Sequence, residues 1–172
     1  MKLARPFFEQ KTLTVARELL GCFLIRRLGR GMMRAQIIET EAYGGLKDKA
    51  SHAHRGRTKR NEVMFGSAGR AYVYLIYGKY NCFNVVTEKK SSPAAVLVRG
   101  VKIDGQKIIG PGRVCRALSI NAGLNNLDLL NHHELWLERG ALVRPKIKKM
   151  PRVGIDYAEE YKNKLWRFLL AD

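Results

Sequence analysis

The stretch AYVYLIYGKYNCFNVV, residues 71–86, limits what this chain can fold into more than any other. Two runs rich in β-branched and aromatic side chains flank Gly78-Lys79, and glycine at the first central position suits a tight two-residue hairpin. A lone hairpin cannot cover its apolar face, so further strands must join it. CFLIRRL (22–28) reads as a strand, turned by Gly29–Gly31 into a second strand from about Met33 to Tyr43. AAVLVRGVKI (94–103) and HELWLERG (133–140) read as two more. Helical signals are fewer. Leu13, Ala16, Leu19 and Leu20 recur at helical spacing, with Gly21 at the C-cap position, and GPGRVCRALSI opens a helix at Pro111. Lys47–Asn61 is polar and basic and reads as a surface loop, with a short helix near 61–65; PKIKKMPR (145–152) reads as a solvated basic face. With no repeat or linker, residues 1–172 are expected to form a single compact α+β domain. Its sheet should be curved and mostly antiparallel, with a protruding β-hairpin and flanking helices.

Charge narrows the partner. Lys and Arg number 32 against 15 Asp and Glu, a formal charge of +17, and the basic residues are interspersed with apolar segments. A folded basic face and a polyanionic partner follow. The three cysteines, Cys22, Cys82 and Cys115, are widely separated and form no CxxC pair, which disfavours a disulfide framework or zinc ribbon and fits a reducing, intracellular setting. No apolar run reaches membrane-spanning length, so no membrane partner is expected.

Against this basic background, IIETEAYGG (37–45) stands out. In a strand, Ile37, Glu39, Glu41 and Tyr43 share one face, with Ile38, Thr40 and Ala42 on the other. Strand glutamates usually sit in solvent. A surface that faces phosphate should avoid carboxylates, however, and here Tyr43, His52 and His54 follow closely. A carboxylate beside an aromatic ring and an imidazole suits a pocket for a planar base, in which the acid could orient and deprotonate water. The same acids, with Asp48 and the HxH pair, could instead ligate a metal in a nuclease, a weak signal. A non-enzymatic nucleic-acid-binding module that uses the tyrosines as stacking platforms is a further alternative, as is Schiff-base lyase chemistry from a lysine. In the hairpin, Tyr72 suits cross-strand packing. Tyr77 and Tyr80 flank the turn, where an exposed ring serves equally as packing or as a wedge between base steps. A strict two-residue turn would pair Tyr77 with Tyr80 and put Tyr74 and Asn84 on opposite faces. For both to serve one pocket the loop must be odd in length or a bulge must intervene, and a bulge is expected.

Taken together in order, ETEAYGG, DxASH, RTxRN, MFG, YVYLIYGxYNCFN, AVLVRG, GPGRVCRAL and RVGIDYA resemble the alkyladenine (3-methyladenine) DNA glycosylase family, from about Leu13 to the C-terminus. The resemblance implies a monofunctional enzyme that flips a damaged, alkylated or deaminated purine out of double-stranded DNA. It implies hydrolysis of the N-glycosidic bond without cofactor or metal, by a monomer. It implies that Glu41 activates the attacking water, that Tyr43 and Tyr74 sandwich the base with His52 completing the stack, and that Asn84 helps reject normal purines. Arg99 would lie near the catalytic water, and Tyr77 would fill the gap left by the flipped nucleotide. Arg57, Thr58 and Lys79 would touch the DNA backbone. Glu39 receives no catalytic part.

Overall fold

The structure, a computed structural model, describes residues 1–141 and 145–171. Two short helices, α1 (Arg5–Phe8) and α2 (Thr12–Glu18), precede β1 (Phe23–Leu28) and the long β2 (Gly31–Gly44). Gly21, at φ 83°, ends the turn after α2 in the left-handed conformation that glycine adopts without penalty. After an irregular segment come β3 (Ala71–Ile76), β4 (Tyr80–Val86), β5 (Ala94–Ile103), β6 (Gln106–Ile109) and α3 (Pro111–Ala117). β7 (Leu135–Glu138), β8 (Ile147–Met150) and β9 (Arg167–Leu170) follow. The fold is α+β, and every strand pairing among the described residues is antiparallel.

The spine of the sheet is the β2–β5 pair. At its outer edges the sheet forks. β1 pairs β2 over residues 31–36 and β9 takes over at 39–41. On the other side, β4 pairs β5 over 95–97 and β6 takes over at 100–103. Both forks coincide with register shifts: Ile37 faces Val101, Glu39 faces Gly100 and Thr40 faces Val98. Ile38 and then Arg99 are therefore the extra residues of two opposed bulges. A bulge of one residue exchanges the faces of a strand. Ala35, Ile37, Ala42, Val96, Val98 and Val101 thus all reach the main core beneath α2 and α3, and the Thr40 hydroxyl donates to the Ala16 carbonyl of α2. Strict alternation had placed Ile37 with the glutamates and Ile38 on the core; the bulge at Ile38 reverses both. The bulge expected in the hairpin is not there: the β3–β4 register is unbroken, and the bulges lie in the spine instead.

The hairpin meets its parity requirement through loop length. Ile76 pairs with Tyr80, so three residues, Tyr77-Gly78-Lys79, form the loop, with Tyr77 at φ 51° and Gly78 at φ 65°. Tyr72 then faces Asn84, and Tyr74 lies two residues on along the same face.

Two further expectations are corrected. The basic tail forms β8 and β9, because Phe168 is buried and Ile147 and Leu170 pack on the core. The segment 47–61 is more than a surface loop: Asp48, Ala50, Ser51, Ala53 and Asn61 are buried.

Glycine is required at position 100 by close approach. A Cβ there would stand 2.9 Å from Glu39 Cβ and 3.2 Å from its carboxylate. Gly100→Ala is therefore expected to lower stability by about 1–3 kcal/mol through overpacking, read as a lower urea midpoint at unchanged m-value.

Candidate active site

The outer face of the spine carries Glu39, Glu41 and Tyr43, and two segments close over it. One is 45–65, whose Ala53, Val63 and Met64 pack on Tyr72, Val86 and Ala95. The other is 151–166, whose Ile155 and Ala158 pack with Ala50 and, at their margin, Tyr43. Both glutamates are consequently about as buried as core valines, 2% and 1% exposed.

Unpaired carboxylates at that depth would be costly, and each is held. Glu41 Oε1 accepts the Val153 N–H at 2.9 Å and lies 3.8 Å from Arg99 Nε; its Oε2 accepts the Tyr43 hydroxyl at 2.8 Å. Burial nevertheless dominates and raises the Glu41 pKa above the ordinary glutamate range, opposed by the Val153 N–H, Arg99, the Tyr43 hydroxyl and Arg167. Tyr43 is itself pushed well up, first by burial and then by the adjacent Glu41, and so remains a hydrogen-bond donor. Glu39 Oε1 accepts from both Arg99 Nε at 3.0 Å and Arg167 Nη1 at 2.9 Å.

Tyr43, the hydrogen-bond donor to Glu41, is one wall of a slot of rings. Tyr43, Ala50, His52, Met64, Tyr74 and Asn84 are among its walls. The His52 and Tyr74 rings are 4.6 Å apart at 69°, edge to face, and Tyr72 lies 5.2 Å from Tyr74. His52 Nδ1 sits 2.8 Å from the Tyr72 hydroxyl. Desolvation first, then the Arg60 charge, lowers the His52 pKa and favours the neutral imidazole. Burial raises the Tyr72 phenol to about 12 and Tyr74 further. Asn84 commits its Nδ2 to the carbonyls of Tyr72 and Cys82, at 3.0 and 3.4 Å, so what it offers the slot is its carbonyl oxygen. The free space is only about 20 Å³, enough for one water and too small for a purine. The rings fill the space between themselves and are not spaced as an open sandwich.

The remaining sequence candidates lie around this slot. Tyr77 is 85% exposed at the hairpin tip, with Lys79 beside it. Arg57 is exposed, its guanidinium 5.7 Å from the Phe65 ring centre. Thr58 is tied into the loop: its N–H donates to Asn61 Oδ1 and its hydroxyl accepts the Asn61 N–H. A cavity of about 430 Å³ opens next to His52, with Lys49, His54, Arg55, Thr58, Arg60 and Tyr157 on its walls.

Sequence reasoning missed the residues that hold these groups in place. Asn61, 1% exposed, donates to the His52 and Gly56 carbonyls and so fixes the loop that carries His52. Asp48, considered above as a metal ligand, instead forms a fully buried two-point ion pair with Arg152, at 2.6 and 2.8 Å. The same guanidinium stands 4.7 Å from Tyr43 and 5.0 Å from Trp166, a cation between two rings. Arg167 donates to the Pro151 carbonyl and anchors the turn that presents the Val153 N–H. Asp48 and Arg152 lie 104 residues apart, so spacing carries no signal of them. A signal was available only in the small residues that follow Asp48, which mark a buried segment.

The fold and site define an antiparallel α+β protein with a buried carboxylate beside an aromatic slot, set in a strongly basic chain. Comparison with known proteins makes the class specific. The profile of the methylpurine-DNA glycosylase (MPG) family matches residues 6–172, and the chain belongs to that family. It is 49% identical over 182 residues to a protein of Methanocella arvoryzae, covering 96% of this chain and 90% of that one. It is 45% identical over 174 residues to one of Legionella pneumophila, strain Corby (99% and 95%), and 37% identical over 198 residues to one of Clostridium perfringens, strain 13 (100% and 97%). All three carry the name "Putative 3-methyladenine DNA glycosylase". The activity class is accordingly that of a DNA glycosylase, a hydrolase whose substrate is DNA. No helix among the described residues is long and apolar enough to cross a membrane.

Breaking the Asp48–Arg152 pair from one side leaves a buried charge uncompensated. Asp48→Ala is expected to lower stability by about 3–5 kcal/mol. The Asp48→Ala/Arg152→Met double variant should lose less than the sum of the single variants in equilibrium unfolding.

Proposed function

We propose that this protein is a monofunctional glycosylase of base excision repair that extrudes a damaged purine from duplex DNA and hydrolyses its N-glycosidic bond with a water activated by Glu41. The observation that carries the reading is the placement of Glu41: buried, raised in pKa, oriented through both oxygens, and hydrogen-bonded to Tyr43, a wall of the slot of aromatic rings.

The proposed chemistry balances simply. The C1′–N bond breaks and its electron pair leaves with the base, which for a cationic alkylated purine departs neutral. The sugar becomes oxocarbenium-like, and Glu41 stabilises that charge. Water bonds to C1′ and passes a proton to the Glu41 carboxylate, leaving an abasic site. Tyr43, His52 and Tyr74 bind the base by stacking, and an electron-poor ring gains most from electron-rich faces. A neutral His52 suits such a ring, because an imidazolium would repel it. Asn84 borders the purine edge, and Arg99 lies at the water. Tyr77 enters the stack as the nucleotide leaves it, offsetting part of an extrusion cost of a few kcal/mol. Arg57, Thr58 and Lys79 take backbone phosphates, and the cavity beside His52 receives the strand next to the lesion. The single sheet that joins β9 to β2 supports action as one domain.

In single-turnover assays on duplex oligonucleotides carrying 3-methyladenine, 7-methylguanine, hypoxanthine or ethenoadenine, at least one lesion should yield alkali-labile sites, unaffected by EDTA. Glu41→Gln should retain DNA affinity and lose base release by at least 100-fold, on the order expected for a general base; retained turnover refutes the assignment. The base must be ionised to act, so the rate should fall as pH drops through a Glu41 pKa that lies above the ordinary value of about 4.3. Tyr77→Ala should weaken the flipping signal of 2-aminopurine more than it weakens binding to undamaged DNA.

A further inference from the structure

Glu39 is a buried carboxylate that the proposed chemistry does not use. It lies at the crossing of the two bulges, 2% exposed, with Gly100 stripped of a side chain to make room for it. Its Oε1 accepts from Arg99 Nε at 3.0 Å and from Arg167 Nη1 at 2.9 Å. Arg99 Nε is 3.8 Å from the nearer oxygen of Glu41, beyond hydrogen-bond distance. One oxygen of Glu39 thus holds two cations that would otherwise face Glu41 alone.

We propose that Glu39 is a positioning residue for the reaction: it engages Arg99 and Arg167 and keeps their guanidiniums from closing on Glu41, which therefore remains a competent base.

Counting charges shows why this matters. The two carboxylates and the two guanidiniums between them sum to zero, and both carboxylates are buried. Without the Glu39 charge the sum is +1, and Arg99 is free to form a direct, short ion pair with Glu41. A carboxylate so paired is a weaker base and has less charge left for an oxocarbenium-like sugar. Arg167 acts in the opposite sense, and by two routes. It supplies a cation, and its Nε holds the Pro151 carbonyl at 2.8 Å, fixing the turn whose Val153 N–H donates to Glu41.

The other groups that face this pair are identified. Tyr43 lies along β2, while Tyr74 of β3 and Cys82 of β4 feel the Glu41 charge. Behind Glu39, Lys102, Lys107 and Lys146 rim a cavity of about 430 Å³ that brings solvent to its far side.

The proposal rests on the glycosylase reading, and its test has a readout that does not. The 13Cδ chemical shift of Glu41 in the full chain reports its titration directly. Glu39→Gln keeps the shape and the acceptor oxygen and removes only the charge; the Glu41 midpoint should fall by about one pH unit or more. Arg167→Met should raise it, and Arg167→Lys should restore it towards wild type. In single-turnover excision, Glu39→Gln should move the acid limb to lower pH and reduce the plateau rate roughly three- to ten-fold, with DNA affinity unchanged. Glu41 midpoints that stay fixed, or that move the same way in Glu39→Gln and Arg167→Met, overturn the proposal. A loss of stability with an unmoved midpoint does so too, since that is the signature of a purely structural ion pair. Should Glu39→Gln not fold, Arg167→Met decides alone, and a fixed or lowered midpoint there is the refuting result. If the wild-type protein releases no base, the function proposed above fails while the titration still decides this inference.

Discussion

Two opposed bulges, at Ile38 and Arg99, set the geometry on which the rest of the structure depends. A flat β2–β5 pair would carry one alternation of faces from end to end, and Ile37 could not share the core with Ala42. The bulges reset the alternation halfway. Each strand can then bury apolar side chains at both ends while it turns Glu39, Glu41 and Arg99 outward between them. They also mark where the sheet forks, because extra residues break the ladder and let β9 replace β1 and β6 replace β4. The fork brings Arg167 against Glu39. The charge network is thus a consequence of strand register, and the absent side chain of Gly100 is one of its conditions.

The network answers how a basic protein keeps two carboxylates dry. Burial alone would drive Glu41 towards the protonated form. Arg99 and Arg167 hold the Glu39 carboxylate in ion pairs, and the Val153 N–H, Arg99 and the Tyr43 hydroxyl oppose the effect of burial at Glu41. The balance at Glu41 still falls on the side of desolvation. The role proposed for Glu41 would need that condition: ionised, yet not satisfied so fully that it has no affinity for a proton. The Asp48–Arg152 pair shows the contrast. There two short hydrogen bonds and two flanking rings match the charges to each other, and the pair serves to hold the two covering segments together.

Much of this was legible in the sequence, for identifiable reasons. Hairpins with glycine turns and apolar alternation are local, so β1 to β5 and the antiparallel class could be read directly. The acids of ETEAY drew notice because carboxylates are out of place on a phosphate-facing surface. What could not be read depends on contacts distant in sequence. Nothing near Ile38 or Arg99 announces a bulge; it arises from the partner strand. β8 and β9 looked like a basic tail because they have only four residues each and lysines at two outward positions. The loop parity was posed correctly as a question, yet the answer lay in Tyr77 at a positive φ, which no propensity favours for a tyrosine. Asn61 and Arg152 escaped notice for the reason that Asp48 was misread: a buried polar residue in a polar segment looks exposed until its partner is known.

If the slot receives a base, as the proposed function requires, its small free space places a condition on entry. Tyr74 lies on β3, with Tyr72 beside it, and strand pairing leaves that wall little freedom. Asn61 fixes the backbone on the opposite side by binding the His52 and Gly56 carbonyls. The side chain of His52 has fewer restraints: one hydrogen bond between Nδ1 and the Tyr72 hydroxyl and an edge-to-face contact with Tyr74. Such an aromatic contact is worth about 0.5–1.5 kcal/mol, and a net hydrogen bond about the same. Turning the imidazole aside is therefore cheaper than moving either backbone wall, and stacking on the incoming purine replaces the contact it gives up. Under the proposed function, His52 would then be the movable wall of the slot and Tyr74 the fixed one, and a base too weak in stacking to displace the imidazole would be left outside.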